Sequence, residues 1–145
     1  MIKLDLAKAY DRLSWEYLQK ILKAYGFDDR WIDWVMSMIT TSVMSILLNM
    51  TPSKAFNPFR GLRQGDPLSP FMFILATDGL GRLIKAKVNN RQLKGISLWG
   101  DELPLTHQQF VDDVMLYVQA NLKEAKQLME ILDEFTRATG TEINK

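Results

Sequence analysis

The first half of the chain alternates short apolar runs with segments of helical periodicity. Residues 2–6 form an apolar run of strand length, and Ser14 opens a segment whose apolar positions recur every three or four residues up to Gly26. Ser is a favoured helix N-cap and Gly a favoured residue after a helix, so this segment is predicted to be a helix. Asp28 and Asp29 precede a second such segment, residues 31–40, where carboxylates complement the helix dipole. A partly strand-like stretch, 42–50, and a predicted loop, 51–61, follow.

The second half is predicted to hold one long helix, several strands and a final helix. Pro67 and Pro70 suit a helix start, since proline in the first turn loses no internal hydrogen bond, and the helix is predicted over 71–88. The pattern then predicts a weak strand at 93–99, two strands at 105–111 and 114–118, and a helix from the cap Asn121 to Gly140. No repeat or linker interrupts this order, which predicts one α+β domain with helices covering one face of an antiparallel sheet.

An acidic pair, Asp112 and Asp113, separates the strands predicted at 105–111 and 114–118. A two-residue break of this kind predicts a tight hairpin with carboxylates at its tip. With Asp5, at the end of the first strand, these residues would form a cage of hard oxygen ligands for Mg²⁺. Such a cage is typical of two-metal phosphoryl transfer. An Asp-Asp pair is by itself most often a turn or a helix cap, so its position between strands carries the argument.

Composition narrows the function classes. At 145 residues and 47% apolar, the chain suits one domain with a buried core. Its net charge of +1 is weaker than expected of a protein that binds nucleic acid mainly through phosphates. The absence of cysteine excludes disulfides, zinc ribbons and thiol nucleophiles. The chain begins without a signal-peptide pattern and has no apolar run near the ~20 residues of a membrane span, so we expect an intracellular, non-secreted protein with no membrane partner.

Three strings in the chain resemble the core motifs of one enzyme family. They are KLDLAKAYD at 3–11, GLRQGDPLSP at 61–70 and FVDD at 110–113. In order and spacing they resemble a reverse transcriptase (RNA-directed DNA polymerase) palm, and especially the palms of non-LTR (LINE-type) retrotransposons of plants. The resemblance implies an α+β fold whose catalytic β-hairpin belongs to an antiparallel sheet packed against helices. It covers residues 1–145, from the first motif to the start of the fourth.

The resemblance also implies a metal centre and its ligands. Asp5 and Asp112 match the two essential metal-binding aspartates of the family, and Asp113 matches the second acid of the hairpin. The backbone carbonyl of Leu6 is implied as a further ligand. Two Mg²⁺ ions, which Mn²⁺ can replace, would activate a primer 3′-hydroxyl and neutralise the triphosphate.

Four further residues match nucleotide-binding positions of the family. Tyr10 matches an aromatic residue beneath the incoming sugar, where a flat ring disfavours a 2′-hydroxyl. Arg63, Gln64 and Gly65 match contacts to the incoming nucleotide and the primer-template. Judged without the motifs, Tyr10 is more often a core residue, and Gly65 is equally well explained as part of a turn before a helix.

The chain departs from the family pattern in two ways. Val111 replaces the alanine usual before the two aspartates, and its extra methyl groups are expected to crowd the primer terminus. Fingers, thumb and endonuclease regions are not represented, so we expect the isolated chain to polymerise poorly or not at all on an RNA template with a DNA primer and dNTP. The alternatives are a catalytically inactive, retrotransposon-derived fragment or co-opted RNA-binding module, and a small two-metal nuclease. The nuclease leaves the GLRQGDPLSP string unexplained.

Overall fold

The computed structural model describes residues 1–96, 104–111 and 113–144. Its strands are β1 (Ile2–Ala7), β2 (Leu47–Leu48), β3 (Thr51–Pro52), β4 (His107–Phe110), β5 (Asp113–Leu116) and β6 (Glu142–Ile143). Its helices are α1 (Ala9–Arg12), α2 (Trp15–Ala24), α3 (Asp29–Thr40), α4 (Ser69–Asn89) and α5 (Leu122–Thr139). β4, β5, β1 and β6 form one antiparallel sheet in that order, and β2 pairs with β3 in a separate hairpin.

The central strand β1 lies where the sequence has a short apolar run, and its side chains alternate between the two faces of the sheet. Leu4 lies opposite Val114, and both side chains are buried beneath helices. Asp5 is exposed on the other face, which follows from the alternation of side chains along a strand. Burying a large aliphatic side chain contributes about 1.5–3 kcal/mol, so the register that hides Leu4 also fixes which residues face outward. The predicted α+β fold, with helices on one face of an antiparallel sheet, is confirmed.

Side-chain caps begin three of the helices at or near the predicted residues. The Ser14 side chain accepts a hydrogen bond from the Tyr17 amide at 3.3 Å and begins α2. Asp28 accepts from the Arg30 amide at 2.9 Å, so α3 begins at residue 29 rather than at 31. Asn121 accepts from the Glu124 amide at 2.8 Å, as predicted for α5. Asx and Ser side chains satisfy amides that a helix start leaves without partners.

The predicted loop at 51–61 is partly wrong. Thr51–Pro52 is strand β3, because Asn49 and Met50 both take positive φ (48° and 66°) and turn β2 back onto it. Turns with two left-handed residues fit the twist of a two-residue hairpin. Of the weak strand predicted at 93–99, Ile96 forms a bridge with Leu105, and the remainder beyond it lies outside the described residues. No helix in the described part of the chain is long and apolar enough to cross a membrane.

Candidate active site

Asp5 and Asp113 are brought together at the centre of the sheet. They are direct partners in the antiparallel register of β1 and β5, and alternation places both on the face that the helices leave open. Directly opposed residues have Cβ atoms about 4.5–5.5 Å apart. Two carboxylates at this separation repel each other and are suited to share a cation. Asp112, the third acid predicted for the site, lies outside the described residues.

The hairpin that carries these acids differs by one residue from its prediction. Asp113 is in register with Phe110, so it is the first residue of β5 and does not belong to the turn. Val111 follows β4 with φ of +54°, a left-handed conformation that is unusual for a β-branched residue. The tight hairpin is confirmed, but Asp113 does not belong to its tip, because the β4–β5 ladder already includes it.

Two side chains that the sequence analysis did not single out engage the carboxylates. Nζ of Lys3 is 3.0 Å from Oδ1 of Asp113. Nδ2 of Asn144 donates a hydrogen bond to Oδ2 of Asp5 at 2.5 Å, and the Asn144 amide donates to the Asp5 carbonyl at 2.9 Å. Lys3 could have been found from alternation, since it lies two residues from Asp5 and shares its face. Asn144 could not, because no local pattern announces a partner 139 positions away.

The second motif is hydrogen-bonded to α1 and to the residues that directly follow it. The Gly61 amide donates to the Leu13 carbonyl at 2.8 Å, the Leu62 amide to the Tyr10 carbonyl at 2.7 Å, and Nε1 of Trp15 to the Gly61 carbonyl at 2.7 Å. Gly61 has φ of +88°, and a Cβ placed there would lie 2.6 Å from the Asp11 carbonyl oxygen. Only glycine fits this approach, so the first and second motifs are joined through backbone atoms.

The residues predicted to contact nucleotide follow directly after this anchor. Arg63, Gln64 and Gly65 are all exposed, and Gly65 has φ of +89° with open space where a Cβ would be. Asp66 then closes the turn into α4, because its Oδ1 accepts from the Leu68 amide at 2.8 Å. A cavity of about 240 Å³ adjoins Arg63. The exposed guanidinium and amide are thus held on a short loop between two fixed points.

Tyr10 is half-buried and packs against α4. Its ring lies 4.4 Å, centroid to centroid, from the ring of Phe73, with an angle of 17° between the planes. Stacked aromatic pairs contribute about 0.5–1.5 kcal/mol beyond their area burial. The ring is therefore held in one orientation, which agrees with a core role and equally with a rigid surface for a sugar.

Above the open face of the sheet lies a cleft of about 610 Å³. Its walls are formed by Lys3, Gln108, Gln109, Phe110, Asp113 and Met115. The Phe110 side chain is 80% exposed, which is unusual for a phenylalanine on a paired strand. The cleft thus combines the Lys3–Asp113 ion pair with an exposed aromatic ring and two amides, which are partners for charged groups, bases and sugars.

On the covered side, His107 secures the edge strand β4 to α4. A Cβ at Gly81 would lie 2.7 Å from Nε2 of His107, so this glycine makes room for the imidazole. Nδ1 is 2.9 Å from Oγ1 of Thr106. Burial lowers the pKa of His107, Lys85 lowers it further, and Asp78 acts in the opposite direction. The neutral imidazole is therefore a packing element of the strand that leads to the site.

The residues present fit a hard divalent cation in chemistry. Asp5 and Asp113 supply carboxylate oxygens, the ligands that Mg²⁺ prefers. Among the described residues no group of three or more His, Cys, Asp or Glu side chains is placed to hold a metal ion. The described pair supplies two of the three carboxylates of the predicted site, and their role as metal ligands stays a prediction.

Comparisons with known proteins agree on one family. The sequence model described as "Reverse transcriptase (RNA-dependent DNA polymerase)" matches residues 1–145. The chain is 30% identical over 141 residues to a retrovirus-related Pol polyprotein from the type-2 retrotransposable element R2DM of Drosophila melanogaster. This match covers 97% of the chain and 12% of that protein. The chain is 28% identical over 145 residues to an uncharacterized 149 kDa protein of transposon TX1 of Xenopus laevis, with 99% of this chain and 10% of that protein covered.

The fold is also similar to a solved structure. Telomerase from Candida albicans, solved with a fragment of telomeric RNA, superposes with a TM-score of 0.70 at 17% identity. The superposition covers 99% of this chain and 25% of that one. At this identity the likeness concerns the fold. The chain thus spans 12% and 10% of these two transposable-element proteins and a quarter of the telomerase chain.

Proposed function

Since this chain belongs to the reverse transcriptase (RNA-dependent DNA polymerase) family, we propose that it is the catalytic palm of an RNA-directed DNA polymerase of the non-LTR retrotransposon type. Its substrates would be an RNA template, a DNA primer with a free 3′-hydroxyl, and dNTP. One observation carries the proposal: Asp5 and Asp113 lie directly opposite each other on the open face of the sheet, beside a cleft of about 610 Å³. Fingers, thumb and endonuclease regions of a full-length element protein would complete the enzyme.

The proposed metal centre uses Asp5, Asp112 and Asp113, with the backbone carbonyl of Leu6. Two Mg²⁺ ions, or Mn²⁺ in their place, would lower the pKa of the primer hydroxyl and stabilise negative charge on the triphosphate. The chain's own contribution is position, since the sheet register fixes Asp5 against Asp113. The reaction forms a phosphodiester between the primer 3′-oxygen and the α-phosphorus and releases pyrophosphate.

The proposed nucleotide contacts come from the first and second motifs together. Arg63 would pair with a phosphate, while Gln64 and Gly65 would contact the incoming nucleotide and the primer-template through the amide and a close backbone approach. Tyr10 would lie beneath the sugar and disfavour a 2′-hydroxyl. The stacking of Tyr10 on Phe73 supports this role, because a ring that cannot rotate away discriminates better than a mobile one.

A catalytically inactive RNA-binding module is the alternative, and the replacement of the usual motif alanine by Val111 supports it. A β-branched residue in the left-handed region costs roughly 1–2 kcal/mol. That strain sits in the residue before Asp112, at a position where the family motif carries alanine. Under this alternative the chain would bind RNA without extending a primer.

Primer extension on an RNA template is the direct test. The 145-residue chain would be assayed alone, where we expect little product, and in a chimera that replaces the corresponding segment of the R2 relative. DNA synthesis by the chimera that Asp5→Asn abolishes would support the proposal. A chimera that folds and binds the template-primer but adds no nucleotide with Mg²⁺ or Mn²⁺ would support the RNA-binding alternative.

A further inference from the structure

Lys3 is placed by the sheet register to reach Asp113. Lys3 lies opposite Met115, and Asp5 lies opposite Asp113, so Lys3 and Asp113 are diagonal neighbours on the open face. Diagonal neighbours in an antiparallel pair lie about 7–8 Å apart, within reach of a long side chain. The 3.0 Å contact between Nζ and Oδ1 therefore follows from the backbone arrangement.

Two neighbouring side chains offset the repulsion between the carboxylates of Asp5 and Asp113. Like charges directly opposite each other destabilise a sheet. Lys3 offsets the charge of Asp113, and Asn144 donates a hydrogen bond to Oδ2 of Asp5. Each of the two described carboxylates thus already has a donor from the protein, and a cation that binds both must compete with Lys3 for Asp113.

We propose that Lys3 is the internal counter-ion of this site, which a divalent cation must displace from Asp113 before that carboxylate can become a ligand. Lys3 thereby sets the affinity of the site for the cation. The inference rests on the proposed function, because it takes Asp5 and Asp113 as cation ligands. Lys3 also lines the cleft over the sheet, so the displaced ammonium would remain within that cleft. Lys3 is in this sense a positioning residue.

The affinity of the 145-residue chain for Mn²⁺, measured from the electron paramagnetic resonance signal of the free ion, tests the proposal without reference to activity. Lys3→Met removes the charge and keeps the length of the side chain. We expect it to tighten Mn²⁺ binding by about two- to five-fold, which corresponds to the loss of a partly exposed ion pair. Lys3→Arg keeps the pair and should leave the affinity near that of the parent chain. Lys126→Met, at an exposed position on α5, controls for net charge.

A double-mutant cycle separates displacement from a general charge effect. If Lys3 acts through Asp113, Lys3→Met should have almost no effect in an Asp113→Asn background, because the partner is already gone. An equal increase in both backgrounds would overturn the inference, as would weaker binding by Lys3→Met in a chain whose circular dichroism is unchanged. If neither the parent chain nor Lys3→Met binds Mn²⁺, the metal centre fails, and the inference fails with it. If Asp5→Asn abolishes Mn²⁺ binding but Lys3→Met has equal effects in both backgrounds, the metal centre stands and only the inference about Lys3 is overturned.

Discussion

Replacement of Gly61 by alanine should disrupt the close backbone contact between the second motif and α1. The added Cβ would lie 2.6 Å from the carbonyl oxygen and 2.9 Å from the carbonyl carbon of Asp11, and both atoms are backbone. Neither can rotate away, so the segment must shift. The positive φ costs roughly 1–2 kcal/mol for a residue with a Cβ, and relief of a core-like overlap costs about 1–3 kcal/mol more. We therefore expect Gly61→Ala to lower the free energy of unfolding by roughly 2–5 kcal/mol.

Gly65→Ala is the matched control for this prediction. Gly65 has nearly the same φ, +89° against +88°, but nothing lies within 4 Å of an added Cβ. It should carry the conformational cost alone, roughly 1–2 kcal/mol. Urea unfolding followed by circular dichroism would measure both, and a chain of this size loses about 2–4 °C in Tm for each kcal/mol. Equal destabilisation by the two variants would refute the argument that the Asp11 backbone contact is what requires glycine at residue 61.

Three further variants test other parts of the structure. Val111→Asn should raise Tm by a few degrees, since Asn tolerates the left-handed region. An unchanged or lower Tm would contradict the argument that Val111 is strained. The pKa of His107 is lowered, so its contribution to stability is complete above the ordinary histidine pKa near 6.5 and is lost as pH falls. Between pH 7.5 and 5, the urea concentration at the unfolding midpoint should therefore fall less for His107→Gln than for the parent chain. Tyr17→Phe removes the hydroxyl that donates to the Ala76 carbonyl at 3.0 Å and should cost about 1 kcal/mol in urea unfolding; no loss would contradict that bond's contribution. Burial is the main cause that raises the pKa of Tyr17 to about 12. In a titration followed by tyrosinate absorbance, Tyr17→Phe should therefore lack the component that titrates near this pH.

The sheet and helices were predictable because their signals are local. A short apolar run marked β1, and Ser14, Asp28 and Asn121 marked helix starts that the structure confirms. A local signal also gave the hairpin, but not its register, because whether Asp113 belongs to the turn or to β5 depends on the pairing of Phe110. Turn chemistry that depends on non-glycine residues with positive φ, as at Met50, was not recognisable from residue type.

The partners of the site could be predicted only in part. Asp5 and Asp113 were expected from the motifs, and the structure brings them together, while the expected role of Asp112 stays a prediction. Lys3 follows from alternation once the register of β1 and β5 is known, whereas Asn144 depends on β6 returning to pair with β1. Contacts of this kind are set by topology, which a local pattern does not contain.

The sheet order has a consequence for synthesis of the protein. β1, at residues 2–7, is made long before its neighbours β5, at 113–116, and β6, at 142–143, and the hydrogen bond from Asn144 to Asp5 closes across 139 positions. Pairings this distant in sequence form slowly, because the entropy of closing the loop must be overcome before the contact contributes. During translation Leu4 and Leu6 therefore lack their strand partners until residues 113–116 and 142–143 have left the ribosome. A nascent chain stalled before residue 113 would expose this apolar strand and be a substrate for chaperones or for aggregation.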